Sequence, residues 1–363
     1  IEGRITMVSN ITLETSEIKK KVELPEKIVF GRTFTTHMFE MDYDSAAGEW
    51  INPRIKEYGT IEVSPATMVF HYAQAIFEGL KAYKLDNGKI AIFRPEKNIE
   101  RFHNSCRRMC IPEVDPEFFM EAMKELIKID SEWIPTRPGH ALYIRPFVFA
   151  SEPVLGVRPS DNYKFMIILS PVGPYYPEGF KPVPIMATDK YVRAVRKGVG
   201  DCKTSGNYGA SLLAQREARA VGYTQVLWLD GIEQKYIEEV GTMNIFIRFK
   251  NEIVTPKLTG SILPGVTRMS VIQMLRDKGY TVNERMVSID EVIDGYKTGN
   301  LIEIFGSGTA AVISAVSKLK YKDEVLHFSD DQPGELSKEL YEELTGIQYG
   351  KVEDKYNWLT YVE

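Results

Sequence analysis

Lys203 stands in GVGDCKTSGNYGASLLAQREA (198–218), where a glycine-rich loop gives way to a helical pattern. A lysine ordinarily belongs in water, because burying an ammonium without a partner is costly. On a tight loop among Gly, Ser and Asn, with no charge run around it, its amine is placed to form an imine. That is the chemistry by which a lysine carries pyridoxal phosphate (PLP) as a Schiff base. An ordinary solvated loop lysine is the alternative, so the reading depends on what else the chain supplies.

PLP makes three further demands: an acid for the pyridine nitrogen, a donor for the ring oxygen and a cradle for the phosphate. YIEEVGTMNIF places Glu238 and Glu239 directly before an apolar strand, where a carboxylate entering a core needs a partner such as a pyridinium N–H. A solvated strand entrance is the competing reading. Tyr208, five residues after Lys203, can donate to the ring oxygen. A phosphate dianion wants backbone N–H groups at a helix N-terminus, small residues, hydroxyls and an arginine. LPGVTRMSVIQML offers Gly265 for close approach, with Val266 and Thr267 opening a helix. FGSGTA (305–310) is a second glycine loop, and Arg101 in NIERFHNS supplies a cation.

The elements that must hold these residues fit a chain of 363 residues, 44% hydrophobic, which is long enough for two domains with real cores. A net charge of −5 gives no basic footprint, so nucleic acid is not an expected partner. No apolar run approaches the ~20 residues that span a bilayer, and no signal-peptide pattern opens the chain, so a cytoplasmic protein without a membrane partner is expected. Cys106, Cys110 and Cys202 are too few and too unevenly spaced for a disulfide framework; Cys106 and Cys110 read as two nearly buried thiols on one helix face. With five histidines, none at ligand spacing, no metal is expected. The opening IEGR reads as a protease-site remnant, with Met7 as the natural start.

Residues 27–173 mix short strands and helices. KIVFGRTFTTHMFEMDYD reads as a strand, and GLKAYKLDNGKIAIFR as a hairpin turning at Asp86-Asn87-Gly88. Helices are expected from Pro95 to about Met109 and from Pro116 to about Ile129, then strands in HALYIRPFVFASE and YKFMIILSPV. PVGPYYPEGFKPVP (171–184), with five prolines and two glycines, disfavours helix and central strand. The expected organisation is an N-terminal extension (1–26), a small α+β domain (27–173), a connection (174–184) and a larger domain (185–363). The last holds strand PIMATD, the Lys203 loop, a hairpin of TQVLWLDG with MNIFIRF, a helix after Pro264, strand NLIEIF and a helix near Leu336 to Leu344.

GDCKTSGNYGASLLAQREA, QVLWLDG, EEVGTMNIF, ILPGVTR, EIFGSGTA, IFEGLKAY and YIRP closely resemble the branched-chain amino acid aminotransferases, PLP enzymes of fold type IV with a D-amino acid aminotransferase-like fold. The likeness runs from about Phe30 to Tyr349, with further matches at FGRTFTTHM, EPVLGV, PVGPYYPEG and IQYG. It implies Lys203 as Schiff-base lysine and proton shuttle, Glu239 rather than Glu238 as pyridine partner, and Tyr208 on the ring oxygen. It assigns Arg101, Val266, Thr267 and Thr309 to the phosphate, with Arg193 as a further cofactor-side arginine. For substrate it implies Phe30, Tyr72, Phe77, Tyr143, Arg145, Val157, Tyr175, Thr242 and Ala310. An aromatic-walled pocket suits a branched aliphatic side chain, at roughly 0.8 kcal/mol per buried methylene. Arg145 and tyrosine hydroxyls at its edge would take the second carboxylate of glutamate.

The resemblance thus implies transfer of the amino group of L-leucine, L-isoleucine or L-valine to 2-oxoglutarate and back, in a homodimer. Ala311 and Ser314 stand where some mammalian members carry a C-x-x-C pair, so no thiol switch transfers; the Thr204-Ser205 pair also departs from the Gly-rich version common in relatives. A D-amino acid aminotransferase or an aminodeoxychorismate lyase would share the lysine, acid and cradle. A non-catalytic phosphate-ligand binding protein would have no use for Lys203 or Glu239.

Overall fold

The computed structural model describes residues 4–8, 10–15, 24–175 and 180–363. Two compact units divide the chain: Ile1–Tyr175 with Lys203–Ser205 and Ile347–Glu363, and Tyr176–Cys202 with Gly206–Gly346.

The first unit is built on one sheet. Its elements are β1 (Arg4–Val8), β2 (Ile11–Thr15), β3 (His37–Asp44), β4 (Glu49–Glu57), α1 (Met68–Tyr72), β5 (Ala75–Phe77), β6 (Leu80–Lys84), β7 (Ile90–Phe93), α2 (Pro95–Arg108), α3 (Pro116–Ile129), β8 (Ala141–Ala150) and β9 (Tyr163–Val172). The strand order is β1-β2-β4-β3-β9-β8-β6-β7, with β5 also paired to β8. The expected hairpin is β6–β7, turning through Gly88 at φ 81°. α2 and α3 each begin with proline, which sacrifices no helical hydrogen bond at that position; Asp115 caps α3 by accepting from Phe118 N at 2.9 Å. Ile99, Phe102 and Cys106 of α2, with Phe119, Met123 and Leu126 of α3, cover Leu142 and Ile144 of β8 and Leu80 and Ala82 of β6. Strand alternation therefore turns Lys81, Tyr143 and Arg145 to the other face of the sheet.

Two expectations need correction here. The strand expected from Lys27 starts only at His37, because Gly31 at φ 68° turns the chain before it. Cys110 does not share a buried helix face with Cys106: α2 ends at Arg108, and Cys110 is exposed at φ 54°.

The second unit holds β10 (Val183–Thr188), α4 (Ser205–Gly209), α5 (Leu212–Ala220), β11 (Gln225–Leu229), β12 (Ile237–Val240), β13 (Asn244–Phe249), β14 (Ile253–Pro256), α6 (Val266–Asp277), β15 (Val282–Arg285), α7 (Ile289–Lys297), β16 (Leu301–Gly308), β17 (Val312–Tyr321), β18 (Glu324–His327) and α8 (Glu335–Gln348); Ser205 at the start of α4 and the last two residues of α8 belong to the first unit. Its sheet runs β12-β11-β10-β17-β16-β13-β14-β15, with β10 parallel to both β11 and β17. The hairpin expected between QVLWL and NIFIRF is a correction: β11 pairs with β12, whereas β13 pairs with β14 and β16. Asp230 dictates this, because its carboxylate accepts from the N–H groups of Ile232, Glu233, Lys235 and Tyr236 and closes the turn onto β12. Burial opposes its ionisation, yet those four donors hold its pKa below the usual value.

The expected 185–363 domain is also corrected. After α8 the chain rejoins the first unit, where β19 (Leu359–Val362) pairs antiparallel with β7. That pairing covers an otherwise open sheet edge, and Arg94 lies 5.0 Å over the Trp358 ring. Lys203–Ser205 also belong to the first unit. Residues 1–3, 9 and 16–23 of the expected extension and 176–179 of the expected connection lie outside the described residues.

Candidate active site

Within the first unit, Lys203 is anchored by its backbone. Its N–H donates to Ser105 Oγ of α2 at 3.0 Å, and its carbonyl accepts from Phe77 N of β5 at 3.0 Å. Thr204 adds a hydroxyl bond to the Ala75 carbonyl at 2.8 Å. The half-buried side chain places Nζ 4.7 Å from the Phe77 ring centroid. Inside the second unit, Asn207 Nδ2 donates to the carbonyls of Val199 (2.7 Å) and Cys202 (2.9 Å), fixing the loop that leads into Lys203.

Glu78, fully buried beside Phe77, is the charge that Lys203 faces in this unit. It accepts from Arg101 Nε and Nη2, both at 2.8 Å, from Asn98 Nδ2 at 2.8 Å and from Gly79 N at 3.2 Å. Burial opposes its ionisation, but Arg101, Lys203 and Asn98 outweigh it, and the carboxyl stays below the usual range. Arg101, expected on a phosphate, is therefore already fixed on the inner face of α2 by a bidentate pair.

Tyr143 and Arg145 stand together: Arg145 Nη2 donates to the Tyr143 hydroxyl at 3.0 Å and Nε to the Glu78 carbonyl at 3.0 Å. The guanidinium lies 4.7 Å over the Phe77 ring, and Phe30 meets Tyr143 edge-on at 4.9 Å. Gly79 leaves no room for a side chain, since a Cβ there would lie 2.0 Å from the Tyr143 oxygen. Four of the expected substrate residues, Phe30, Phe77, Tyr143 and Arg145, thus form one aromatic and cationic wall. Tyr72 instead donates to the Leu155 carbonyl, Val157 is 85% exposed and Tyr175 is exposed at the edge of the unit.

The second unit carries the other expected residues. Glu239, 3% exposed on β12, accepts from Leu263 N at 2.8 Å and Asn244 Nδ2 at 3.4 Å, and its other oxygen lies 3.0 Å from Arg193 Nε. Arg193 Nη2 donates to the carbonyls of Gly200 and Ser261. Glu239 lies inside a strand rather than ahead of one, and Arg193 sits directly on it. Gly265 precedes α6 in extended conformation, and no side chain caps the first turn, which leaves the N–H groups of Val266 and Thr267 uncapped by any side chain. A Cβ at Gly265 would lie 2.0 Å from Asn244 Oδ1. α6 packs on β16, whose end leads into Thr309 and Ala310; at that end the Ser307 hydroxyl is buried without a hydrogen-bond partner among the described residues. Uncapped amides, two threonines and an orphaned hydroxyl form a donor set that fits a phosphate. Tyr208 sits half-buried on α4, and Thr242 is exposed on the β12–β13 turn.

Sequence reasoning missed Glu78, Ser105, Asn244 and Ser261. A signal existed for Glu78, a single acid inside the apolar run AIFEGL, because a charge there needs a buried partner.

The model of the amino-transferase class IV family matches residues 75–319, so the chain belongs to the class IV aminotransferases. It is 53% identical over 352 residues to branched-chain-amino-acid aminotransferase 2 of Bacillus subtilis, with 97% of each chain covered. It is 52% identical over 351 residues to a probable branched-chain-amino-acid aminotransferase of Staphylococcus epidermidis, covering 95% of this chain and 98% of that one. Within the class, then, this chain belongs to the branched-chain-amino-acid aminotransferases. Two solved structures are similar in fold. The Escherichia coli branched-chain amino acid aminotransferase has a TM-score of 0.74 at 26% identity, covering 91% of this chain and all of that one. A T.th. branched-chain amino acid aminotransferase with pyridoxamine 5'-phosphate has a TM-score of 0.75 at 27% identity, covering 92% of this chain and all of that one. Among the described residues no helix is long and apolar enough to cross a membrane.

Proposed function

We propose that the protein transfers the amino group of L-leucine, L-isoleucine or L-valine to 2-oxoglutarate, reversibly, as a cytoplasmic homodimer that uses PLP. The observation that carries this reading is the anchored Lys203, its Nζ over the Phe77 ring and facing the Glu78–Arg101 pair. When bound, PLP supplies an electron sink for the pair of electrons left at the substrate Cα.

The chain's own residues do the rest. Lys203 Nζ would hold the cofactor through its aldehyde carbon and, as the base, would move the proton between the substrate Cα and C4′. Glu239 would receive the pyridine N–H, and Arg193 together with Leu263 N–H holds that carboxylate in place. Tyr208 would donate to the ring oxygen. The amides of Val266 and Thr267 and the hydroxyls of Thr267 and Thr309 would hydrogen-bond the phosphate, with Arg101, which Glu78 fixes, as the proposed cation. Phe30, Phe77 and Tyr143 offer apolar area to a branched side chain, and Arg145 with Tyr143 meets the second carboxylate of glutamate. Tyr72, Val157, Tyr175, Thr242 and Ala310 complete the proposed substrate contacts. Because both substrates use one site in turn, the kinetics are ping-pong.

The test is a chirality-resolved assay with 2-oxoglutarate as acceptor. L-Leucine, L-isoleucine and L-valine should each yield their 2-oxo acid with parallel double-reciprocal lines. Turnover of D-alanine with none of L-leucine would overturn the reading.

A further inference from the structure

Glu238 and Glu239 are neighbours on a strand, and simple alternation would send their side chains to opposite faces. Here the register breaks: Leu227 pairs with Val240 and Trp228 with Glu239, but Leu229 pairs with Ile237. Glu238 is the extra residue of a β-bulge, a device that re-aims a side chain. As a result the two carboxylates flank one short stretch, residues 261–263. Glu239 accepts from Leu263 N, and Glu238 Oε1 accepts from the Ser261 hydroxyl, whose oxygen lies 3.0 Å from Thr259 Oγ1. The Ser261 carbonyl in turn accepts from Arg193 Nη2, and Arg193 Nε lies 3.0 Å from Glu239. The chain of contacts runs Glu238–Ser261–Arg193–Glu239 within one unit.

Glu238 is 3% exposed, and its second oxygen is buried without a hydrogen-bond partner among the described residues. A buried acid with one bond is costly unless the arrangement it makes has a use. The proposed roles above absorb Glu239 and leave Glu238 idle. We propose that Glu238 is a positioning residue, which acts through Ser261 to hold Arg193 against Glu239 and so fixes the carboxylate that meets the pyridine nitrogen. The inference rests on that assignment of Glu239. The charged groups around Glu238 are Arg193, Glu239 and Asp230. Burial raises its pKa, Ser261 and Arg193 oppose that, and the two carboxylates add to it.

The test compares E238A, E238Q and S261A holoenzymes with wild type and with E239Q. The readouts are the pH titration of the visible cofactor–lysine absorbance, the separate kcat and KM for L-leucine, and the dissociation constant for added PLP. E238A should shift the absorbance midpoint and lower kcat by about tenfold, the loss of one charged-network hydrogen bond, with KM within about twofold. S261A, which keeps the backbone carbonyl on Arg193, should reproduce the shift, and the hydrogen-bonding amide of E238Q should recover most of it. If E238A does not fold, S261A and E238Q still decide. An unshifted midpoint and unchanged kcat in S261A and E238A, with E239Q strongly impaired, overturns this inference alone. An unshifted midpoint and unimpaired kcat in E239Q overturns the assignment of Glu239 itself.

Discussion

Replacing Glu78 with glutamine probes the arrangement on which Lys203 depends. The wild-type carboxylate accepts four hydrogen bonds, two from Arg101 and one each from Asn98 and Gly79 N–H, and is fully buried. An amide of the same shape keeps one acceptor and turns an NH2 group toward donors. Arg101, 6% exposed, then loses its counter-charge where water reaches it poorly. Breaking a buried pair from one side costs about 3–5 kcal/mol. At roughly 2–4 °C per kcal/mol for a unit of this size, the apoprotein transition should fall by about 6–20 °C. The sign with pH follows from the depressed pKa. Its stabilisation stands above the unfolded carboxylate value of about 4.3 and is lost as pH falls through the folded value, so the gap between wild type and E78Q closes in acid. Scanning calorimetry of both apoproteins from pH 7 down to the acid limit measures this. A transition within about 2 °C of wild type at pH 7, or a gap that widens in acid, would refute the reasoning.

Three further outcomes are expected. Gly79→Ala puts a Cβ 2.0 Å from the Tyr143 oxygen and must displace the ring that Arg145 holds, so KM for 2-oxoglutarate should rise more than KM for L-leucine in steady-state assays. Glu303 accepts from the N–H groups of Leu336 and Ser337 at the start of α8 and pairs with Arg248; E303A should cost about 2–3 kcal/mol in urea unfolding with kcat unchanged. Burial lowers the Lys81 pKa to about 8, so the native state disfavours the ammonium. Stability lost below that value returns as pH rises toward the unfolded value of about 10.4, so K81M should be more stable than wild type in urea unfolding at pH 7 by at most about 3 kcal/mol, and the two should converge by about pH 10.

What the sequence made legible was mostly local. Prolines at first-turn positions and 3.6-residue apolar spacing marked α2 and α3, and Asp86-Asn87-Gly88 marked the β6–β7 hairpin. Arrangements decided across long stretches of chain were hidden. β19 finds β7 only after a helix, and Glu78 finds Arg101 only once α2 folds back on β5 and β6. β12 was hidden for another reason: two adjacent glutamates break the period-2 pattern, and only the bulge lets a buried strand hold both. At the candidate site the residue types were readable, whereas their second partners, Ser105, Asn244 and Ser261, carried no pattern of their own.

The central claim is that Lys203 is the covalent anchor, and borohydride reduction followed by peptide mass mapping tests it most directly. Reduced holoenzyme should carry one phosphopyridoxyl group on the peptide containing Lys203, and K203A should carry none and lose the visible absorbance. Label on another lysine, such as the buried Lys81, or undiminished labelling of K203A, would contradict the account.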